Sequence, residues 1–306
     1  MTDKINIYFL GTSASTPTKE RNLSSLLIKY KGVNYLFDAS ENVQQQILKS
    51  NQSILKIKHI FITHFHGDHY YGLIGLLSSM SLYKREEDLF IYVPRGYKKK
   101  TEDFFKYSSL NLTYLVIIKE VKANQKFLFN DLSITSIKLD HSIETYGYIF
   151  KIKDKIGKFN KKKALKLKIP EGPLFSKLQS GKSIKINGKT ITPKQVMDFS
   201  FKKIGKKIIY FTDTAVLKKE NKLFNSPDIL IHECTFSDLE KEKAKKMKHS
   251  FFSEVLNFSK KIKAKKLYLT HISTRYKTKK DLVNNLNKYK KIEVSNDLDS
   301  LEINDY

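Results

Sequence analysis

The 306-residue chain carries 57 lysine and arginine residues against 31 aspartate and glutamate residues, a formal net charge of +26. Its hydrophobic fraction of 40% and aromatic fraction of 12% supply enough apolar side chains for a sizeable core, which excludes a disordered chain. The charge is typical of a protein that binds a polyanion, nucleic acid or an anionic membrane surface, although a genome-wide coding bias toward lysine would give the same composition.

Cysteine content and apolar runs place further limits on the class of protein. Cys234 is the single cysteine, so the chain can form neither an internal disulfide nor a thiolate metal cluster, as expected in a reducing compartment. The first residues contain too short an apolar run for a signal peptide, and no run approaches the length of a membrane span. We therefore expect a cytoplasmic protein that does not enter a membrane.

Strands and helices alternate along the first half of the chain. β-branched and aromatic runs predict strands, and apolar residues at helical spacing predict helices. In chain order we predict a strand at 5–11, a hairpin at 24–40 turning at Lys31-Gly32, a helix at 42–50, a buried strand at 59–63, a helix at 71–84, a strand at 89–94, a basic helix at 97–110 and antiparallel strands within 129–153.

The second half repeats this order of strands followed by helices. The patterns predict strands at 206–215, 228–236 and 265–273, a helix near 249–263 and a helix at 278–289, after which "KIEVSNDLDSLEI" (291–303) closes this half. Two similar halves, each a sheet with helices, indicate an αββα sandwich in the mixed α/β (α+β) class. We expect a single domain over residues 1–306.

Residues 154–200 interrupt the second half. The stretch is rich in lysine, glycine and proline, and its apolar residues are too sparse for a large core. It is either a flexible surface insertion that takes no part in binding or a projecting arm that holds a partner. Composition alone favours neither.

The densest group of chemically active side chains lies in "FITHFHGDHYYGLIGLL", residues 61–77. His64, His66, Asp68 and His69 form the pattern H-x-H-x-D-H directly after a predicted buried strand. Buried imidazoles and carboxylates are costly unless they bind a metal, and imidazole suits borderline metals such as zinc. The spacing therefore predicts a metal site.

Three further residues have the same sequence context as His64. His141, Asp213 and His271 each follow an apolar, strand-like run. A lone histidine of this kind is more often a core or surface residue, but four such strand ends together favour a shared site of two metal ions. His59 begins the strand before the motif and is interpreted as structural, and Cys234 as a small buried apolar residue.

These motifs resemble the metallo-β-lactamase superfamily, and specifically its ribonuclease Z (tRNase Z) family. The residues that carry the resemblance are "GTSASTPTKERNLSSLLI" (11–28), "HIFITHFHGDHYYGLIGLLSS" (59–79), "GPLFSKLQSG" (172–181), "LIHECTF" (230–236) and "KHSFFSE" (248–254). The second motif indicates the superfamily, whereas the third, fourth and fifth are similar to those of the tRNA-processing family. The resemblance spans nearly the whole chain.

The resemblance implies two zinc ions per subunit, with manganese as a substitute. One ion would be held by His64, His66 and His141, and the other by Asp68, His69 and His271, with Asp213 bridging them. The resemblance further implies that Asp68 acts as general base, that Glu233 and His249 assist at the leaving group and phosphate, and that residues 154–200 bind tRNA through Gly172 and Pro173. Arg21 lies in the first motif (11–28), and Arg275 lies four positions after the candidate ligand His271. Both are candidates for contact with the acceptor end of tRNA.

The implied activity is removal of the 3′ trailer from precursor tRNA, by metal-activated attack of water on a phosphodiester that leaves a tRNA 3′-hydroxyl. The family is typically a homodimer, with the arm of one subunit holding tRNA at the other's active site. The alternative is another hydrolase of the superfamily that acts on a small phosphodiester or thioester and needs no lysine-rich arm. A binding module without catalysis is disfavoured by the complete ligand set.

The chain departs from the family pattern at four places. "DASENVQ" (38–44) lacks both glycines of the usual stretch, Ser15 and Thr212 stand where glycine is frequent, and Phe251 stands where threonine is usual. None of the four removes a candidate ligand.

Overall fold

A computed structural model describes residues 3–218, 221–284 and 286–306. The chain forms two compact units, one comprising the residues up to Lys151 together with Lys206–Asp305, and a smaller one comprising Ile152–Gly205 with Tyr306. Across the described ranges, no helix combines the length and apolar character that crossing a bilayer requires.

Strands dominate the chain. They are β1 (Lys4–Gly11), β2 (Ser25–Tyr30), β3 (Val33–Phe37), β4 (Ile57–Phe61), β5 (Leu89–Pro94), β6 (Val116–Val121), β7 (Lys126–Phe129), β8 (Leu132–Lys138), β9 (Tyr146–Ile152), β10 (Lys155–Phe159), β11 (Ile184–Ile186), β12 (Lys189–Ile191), β13 (Met197–Lys203), β14 (Lys207–Phe211), β15 (Ile229–Glu233), β16 (Lys266–Thr270), β17 (Ile292–Val294) and β18 (Ser300–Asn304).

The helices are short. They are α1 (Val43–Lys49), α2 (Gly67–Tyr70), α3 (Leu73–Leu82), α4 (Lys98–Tyr107), α5 (Lys161–Lys166), α6 (Pro173–Gln179), α7 (Pro193–Val196), α8 (Lys241–Met247), α9 (Phe252–Lys261) and α10 (Lys279–Leu282). Single 3₁₀ turns lie at Ile54–Lys56, Lys222–Phe224, Asp238–Glu240 and Leu286–Lys288.

Two seven-stranded sheets form the larger unit, in the orders β18-β1-β2-β3-β4-β5-β6 and β17-β16-β15-β14-β9-β8-β7. Each sheet is antiparallel toward one edge and parallel toward the other: β3 to β6 are parallel in the first, and β14 to β17 in the second. Parallel neighbours place their carboxyl ends at one edge, where the loops that carry chemistry can meet.

Aromatic side chains fill the space between the two sheets. Phe37 of β3 contacts the rings of Tyr148 and Tyr210 in the opposite sheet, with centroids 5.5 and 5.8 Å apart. Phe61 of β4 likewise packs edge-to-face on Tyr148 at 5.0 Å. Such pairs add specific geometry to the burial of large apolar surfaces.

Helices cover the outer face of each sheet and complete the sandwich. Apolar residues of α1 and α3, including Ile47, Leu76 and Met80, share one core with the first sheet. Phe252 and Val255 of α9 share a second core with the other sheet. The αββα architecture expected from the two similar halves is confirmed.

The predicted hairpin at 24–40 is confirmed and turns where expected. β2 and β3 pair antiparallel, and Lys31 and Gly32 connect them with φ values of 48° and 77°. Positive φ at both turn residues is the geometry whose twist suits a two-residue hairpin.

The predicted helix at 278–289 is too long. Thr278 caps the helix and forms a capping box with Asp281, but α10 ends at Leu282 because Val283 is extended (φ −129°, ψ 102°). The residues after it, "VNNLNKYK", include three asparagines, which favour local turns over helix. The chain resumes as a 3₁₀ turn at Leu286–Lys288, and Asn285 of the predicted helix lies outside the described residues.

The smaller unit has its own small core. β10 pairs with β13, β11 with β12, and three helices pack together around buried residues that include Ala164, Phe175, Leu178 and Val196. Residues 152–205 contain fifteen lysines and three acidic residues, so this unit carries a large share of the net positive charge.

Candidate metal centre

The seven predicted ligands all lie in segments that follow strands of the two large sheets, five in loops and two, Asp68 and His69, in the short helix α2. The H-x-H-x-D-H residues follow β4, His141 follows β8, Asp213 follows β14 and His271 follows β16. His64, His69, His141, Asp213 and His271 are buried, while Asp68 retains 14% exposure of its side chain. The sheet edges thus bring together side chains that are up to about two hundred positions apart in the chain.

Three imidazoles of the first group converge on one point. His66 Nδ1 lies 3.1 Å from His64 Nε2 and 3.2 Å from His141 Nε2. Asp213 Oδ2 faces the same point, 3.7 Å from His64 Nε2 and 3.9 Å from His141 Nε2. These four residues form a group whose ligand atoms all lie within 4.8 Å of one another.

The second group lies on the other side of Asp213. His69 Nε2 is 3.5 Å and His271 Nε2 is 3.9 Å from Asp68 Oδ2. Asp213 Oδ1 is 3.4 Å from His69 Nε2 and 3.1 Å from His271 Nε2. Since each oxygen of Asp213 faces a different group, this carboxylate has the geometry of a bridge between two cation positions.

Buried oxygens hold the outer nitrogen of these rings. His69 Nδ1 donates to Asp38 Oδ2 (2.7 Å), and His64 Nδ1 donates to Thr63 Oγ1 (3.0 Å). Thr63 in turn donates its amide and hydroxyl protons to Asp38 at 2.7 and 2.8 Å. With the outer nitrogen acting as donor, the Nε2 lone pair of each ring is left to face the centre of the site.

An analogous arrangement holds the other two imidazoles. His141 Nδ1 donates to the carbonyl of Lys248 (3.2 Å), and His271 Nδ1 donates to Thr235 Oγ1 (2.9 Å). The Thr235 hydroxyl donates onward to Glu233 Oε2 (2.8 Å). Hydrogen bonds of this kind fix the tautomer and orientation of metal-ligating histidines.

Two observations show that this donor set fits metal ions. The Nε2 atoms of His69 and His271 are buried without a hydrogen-bond partner, although buried polar atoms normally have one. In the other group, His66 Nδ1 lies 3.1 Å from His64 Nε2 and 3.2 Å from His141 Nε2, so three ring nitrogens converge where one cation could bind all of them. Imidazole nitrogens with carboxylate oxygens suit zinc and similar divalent metals.

Glu233 is buried beside this centre and accepts hydrogen bonds from several of its neighbours. Its two oxygens accept the amide protons of Thr214 (3.1 Å), Ser250 (3.0 Å) and Thr235 (2.8 Å), and His249 Nδ1 donates to Oε1 (2.9 Å). The His249 ring stacks on His271 with centroids 5.5 Å apart. Asp213, His249 and His271 form a third group of potential ligand atoms within 4.8 Å, so His249 borders the metal centre directly.

The site's charges favour ionised carboxylates. Burial raises the pKa of Asp213, but the nearby His271 and His69 outweigh it and hold that pKa well below its ordinary value. The same balance lowers the pKa of Asp68, because the neighbouring His271 and His69 outweigh the effect of its burial. Burial lowers the pKa of His249, but Glu233 outweighs it and raises the value to about 9.

Backbone geometry explains the first departures from the family pattern. Ser15 adopts φ 59°, a conformation that glycine enters more easily, and its amide donates to Asp68 Oδ2 (3.0 Å). Within 38–44, Asn42 stands at one of the two lost glycine positions and adopts φ 63°, which asparagine tolerates. Ser40 stands at the other. The Ser40 hydroxyl is used in buried hydrogen bonds to Ser25 and the Leu23 carbonyl. The side chains at 15, 40 and 42 are therefore accommodated without glycine.

The remaining two departures are also accommodated. The Thr212 hydroxyl donates to Asp213 Oδ1 (2.9 Å), adding a hydrogen bond that glycine lacks. Phe251 precedes α9 and packs in a small buried cluster with Phe236 and Ala244.

The four residues predicted to contact RNA stand outside the ligand groups. Arg21 donates to Thr12, to the Ser295 carbonyl (2.6 Å) and to Asn296 (3.3 Å). These bonds tie the first loop to the segment before β18.

Arg275 pairs with Glu240 and lies over the Phe236 ring at 5.1 Å. Tyr276 packs against the second core, and its hydroxyl accepts the Ser237 amide proton (2.8 Å). In the smaller unit, Gly172 (φ 120°) and Pro173 open α6 and are exposed. Their predicted contacts with RNA stay predictions.

The remaining side chains of interest lie elsewhere. His59 stacks on Tyr35 (5.3 Å between centroids) and contacts Phe129 (4.4 Å), in keeping with a structural residue. His232 is buried on β15 with its ring near Phe211 and Phe258. Burial raises the pKa of the Cys234 thiol well above its ordinary value, as expected for an apolar core residue.

Sequence reasoning missed the second layer of the site, Asp38, Thr63 and Thr235. Asp38 begins the stretch "DASENVQ" (38–44), which differs from the family pattern by its two lost glycines. It directly follows strand β3, just as the ligands follow their strands. That position after β3, next to parallel β4, is the signal that could have identified it.

The fold and this constellation define a hydrolase of the metallo-β-lactamase type, and comparisons with known proteins agree. Residues 173–272 match the family model described as "Beta-lactamase superfamily domain", and residues 5–161 match the one described as "Anti-Pycsar protein Apyc1".

Curated relatives narrow the class further. The chain is 38% identical to "Ribonuclease Z" of Nitrosopumilus maritimus over 94% of its own length and 95% of that protein. It is 40% identical to "Ribonuclease Z" of Borreliella burgdorferi over 93% and 91%, respectively. The chain belongs to the ribonuclease Z family, which confirms the resemblance seen in its motifs and the expected class of enzyme.

Solved structures support the fold. Human tRNase Z, short form, superposes with a TM-score of 0.68 at 24% identity, covering 97% of this chain and 98% of that one. The metallo-β-lactamase fold protein YhfI of Bacillus subtilis gives 0.70 at 15% identity, covering 98% and 100%.

Proposed function

We propose that this protein is an endoribonuclease that removes the 3′ trailer of precursor tRNA. The observation that carries the proposal is the convergence of all seven candidate ligands, in a chain that aligns with curated ribonuclease Z proteins over more than nine-tenths of its length. The large positive charge suits a polyanionic RNA substrate.

The two ligand groups fit a pair of divalent cations, which we propose to be zinc, with manganese as a substitute. His64, His66 and His141 would hold one ion, Asp68, His69 and His271 the other, and Asp213 would bridge them. When bound, such a pair supplies Lewis-acid activation of water and neutralises charge on the phosphate oxygens.

Asp68 is proposed as the general base. It is the partly exposed carboxylate of the site, and the Ser15 amide holds Oδ2 in place. Because its neighbours keep its pKa low, Asp68 is ionised at neutral pH and can orient the attacking water and accept its proton.

His249 and Glu233 are proposed to act at the leaving oxygen. The water oxygen bonds to phosphorus, the bond from phosphorus to the tRNA 3′ oxygen breaks, and that oxygen takes a proton. His249, oriented by its hydrogen bond to Glu233, is placed at the edge of the site from which its Nε2 can donate that proton or contact the phosphate. Glu233 is itself a positioning residue, because five hydrogen bonds saturate its oxygens.

RNA contact outside the centre is proposed for the lysine-rich unit of residues 152–205. Duplex RNA is recognised largely through its shape and phosphates, for which exposed lysines are suited. Gly172 and Pro173 present an exposed turn on this unit. Arg275 would have to exchange its partner Glu240 to reach RNA, and Arg21 would act by holding the first loop in position.

We further propose a homodimer in the cytoplasm, in which the lysine-rich unit of one copy holds RNA at the metal centre of the other. A direct test mixes two variants with different defects: Asp68→Ala, expected to lose cleavage, and a chain with residues 154–200 shortened, expected mainly to lose RNA binding. Recovery of cleavage on mixing supports exchange between copies. Light scattering that reports a monomer in the presence and absence of RNA would contradict the dimer.

The function is tested by incubating the metal-loaded protein with a precursor tRNA that carries a 3′ trailer. We expect one cut near the acceptor end, a loss of at least about a hundredfold in rate for Asp68→Ala, and no loss for Glu302→Gln, which replaces an exposed acid on the far strand β18. An intact trailer together with hydrolysis of a small phosphodiester or thioester would favour the alternative substrate class.

A further inference from the structure

An aromatic cluster adjoins the metal centre and has no part in the proposed chemistry. Phe65 lies between the ligands His64 and His66, and its ring stacks on Tyr97 with centroids 4.4 Å apart and an interplanar angle of 22°. Tyr70, directly after the ligand His69, contacts Phe65 at 4.7 Å. The cluster is therefore attached to the same loop that presents the metal ligands.

One member of the cluster, Tyr71, faces solvent. Its side chain is 52% exposed, and its ring contacts Tyr70 at 4.8 Å between centroids. It also lies directly over Gly67: a Cβ at position 67 would be only 2.1 Å from Tyr71 Cε2. Gly67, which stands between His66 and Asp68 in the chain, thus makes room for an exposed tyrosine ring.

Core packing accounts for the neighbours of Tyr71 but not for Tyr71 itself. Phe65, Tyr70 and Tyr97 pack against the core of the first sheet, whereas Tyr71 is not among the residues packed there. The Tyr71 ring contacts Tyr70 and lies against Gly67, while 52% of the side chain stays exposed. An aromatic ring fixed in this way is a stacking surface with little entropy to lose on binding.

Positive charge lies beside the cluster. Lys98, Lys99 and Lys100 open α4, and Lys100 Nζ is 4.6 Å from the centroid of the Tyr97 ring. Lys98 and Lys99 are paired with Glu102 and Asp103, so Lys100 is the member of the three held on an aromatic face instead. Aromatic rings interleaved with cations are the usual surface for single-stranded nucleic acid.

We infer that Tyr71 stacks against an unpaired base adjoining the scissile phosphate, with Lys100 toward the backbone of the same strand. The inference rests on the proposed function and adds a specificity-determining contact to it: the ligand is single-stranded RNA, bound without regard to base identity. An RNA whose end is unpaired at the cut would be held more tightly than a fully paired one.

The test compares Tyr71→Ala with Tyr71→Phe, which keeps the stacking ring, and with Tyr107→Ala at the end of α4. Tyr107 is 84% exposed and lies outside the cluster, so it is the matched control. The probe is a fluorescein-labelled acceptor hairpin with an unpaired 3′ tail, read by anisotropy, and its fully paired counterpart. Base stacking on an aromatic ring is worth roughly tenfold in affinity or more.

We expect Tyr71→Ala to weaken binding of the tailed hairpin by about tenfold, while Tyr71→Phe and Tyr107→Ala bind as the original chain does. Replacing the contacted base by an abasic residue should cause the same loss in the original chain and no further loss in Tyr71→Ala. Equal binding of the tailed hairpin by Tyr71→Ala and the original chain, or additive losses at every abasic position, would overturn the inference.

This binding measurement separates the inference from the proposed function. If the original chain leaves precursor tRNA intact but the abasic pattern holds, the proposed function fails and the stacking contact stands. If the original chain cleaves precursor tRNA and Tyr71→Ala binds normally, the function stands and the stacking contact fails.

Discussion

Asp38 illustrates how much of a metal centre depends on residues that touch no metal. The buried carboxylate accepts two hydrogen bonds from Thr63 and one from His69 Nδ1, and Thr63 in turn holds His64. One side chain therefore orients a ligand in each of the two groups. Its backbone lies at φ 63°, an uncommon value that the surrounding hydrogen bonds hold in place.

Replacing Asp38 by Asn should weaken metal binding by about 10- to 100-fold, the usual effect of losing such a partner. The amide cannot accept all three donated protons, so His69 loses its fixed tautomer. Competition with a chromogenic chelator measures the affinity. Glu302→Gln serves as the control, and unchanged affinity in Asp38→Asn would show that His69 needs no orienting carboxylate.

His59 should make stability depend on pH. Burial between aromatic rings, with Lys119 and Lys58 nearby, lowers the pKa of His59 to about 4 in the folded chain. In the unfolded chain the ordinary value of 6.5 applies, so below pH 6.5 the unfolded state binds a proton that the folded state does not. Stability from this group is therefore lost as the pH falls from 6.5 toward about 4.

His59→Phe keeps an aromatic ring at this position and removes the titration. We expect the free energy of unfolding in urea to fall between pH 7.5 and 5.0 by about 1 to 2 kcal/mol more in the original chain than in His59→Phe. Parallel pH dependence in the two proteins would mean that His59 is solvated and titrates normally.

At the scale of elements, the start of α3 fixes the position of the metal-binding loop. Gly72 precedes this helix, and a Cβ there would lie 1.9 Å from the Ser40 carbonyl oxygen. The Gly72 amide donates to the Ala39 carbonyl (2.9 Å), and the Ala39 amide donates to the carbonyl of His69 (2.8 Å). Close approach of these two backbones places Asp38 beside His69.

Gly72→Ala and Gly75→Ala form a matched pair on this helix. Gly72→Ala should separate the backbones, lowering stability by about 2 kcal/mol or more as overpacking does, and should reduce metal retention. Gly75 has only ordinary contact with Gln44 at 3.5 Å, so Gly75→Ala should raise stability by about 0.5 to 1 kcal/mol. Denaturant titration measures both, and equal effects of the two substitutions would contradict this account of the close approach.

The elements themselves show what the sequence could and could not predict. β1 to β5, β14 to β16 and the helices α1, α3, α4 and α9 follow apolar patterns that match their local period, so they were predictable. α10 was predicted too long, since its pattern continues through asparagines that end the helix. The ligands were identifiable because each follows a strand, whereas Thr235 and Thr63 became visible only once the loops were folded against each other.

At the scale of the whole molecule, charge is unevenly distributed along the chain. Residues 152–205 hold fifteen lysines against three acidic residues. Each lysine that neutralises a phosphate releases a counterion, so RNA affinity should fall steeply with salt. The slope of log affinity against log salt is proportional to the number of phosphates that the protein neutralises. Substituting the lysines of one segment shows how many of those contacts the segment makes.

The test replaces by Gln three exposed lysines of α5, Lys162, Lys163 and Lys166. The slope of log affinity against log salt should fall by about 0.7 to 0.9 for each of these lysines that contacts a phosphate. The control replaces Lys288, Lys290 and Lys291, which are exposed near β17 and assigned no contact. Titrations with precursor tRNA at several salt concentrations give the slopes. An unchanged slope for the first set, or an equal loss for both, would remove this unit from the RNA-binding surface.

The measurement that tests the central claim most directly is cleavage of precursor tRNA in water enriched in oxygen-18. Attack by water on phosphorus, with Asp68 as base, predicts one oxygen-18 atom in the 5′-phosphate of the released trailer and an unlabelled 3′-hydroxyl on the tRNA. Mass spectrometry of both products reads the result. A 2′,3′-cyclic phosphate on the tRNA, or oxygen-18 at its 3′ end, would contradict the account.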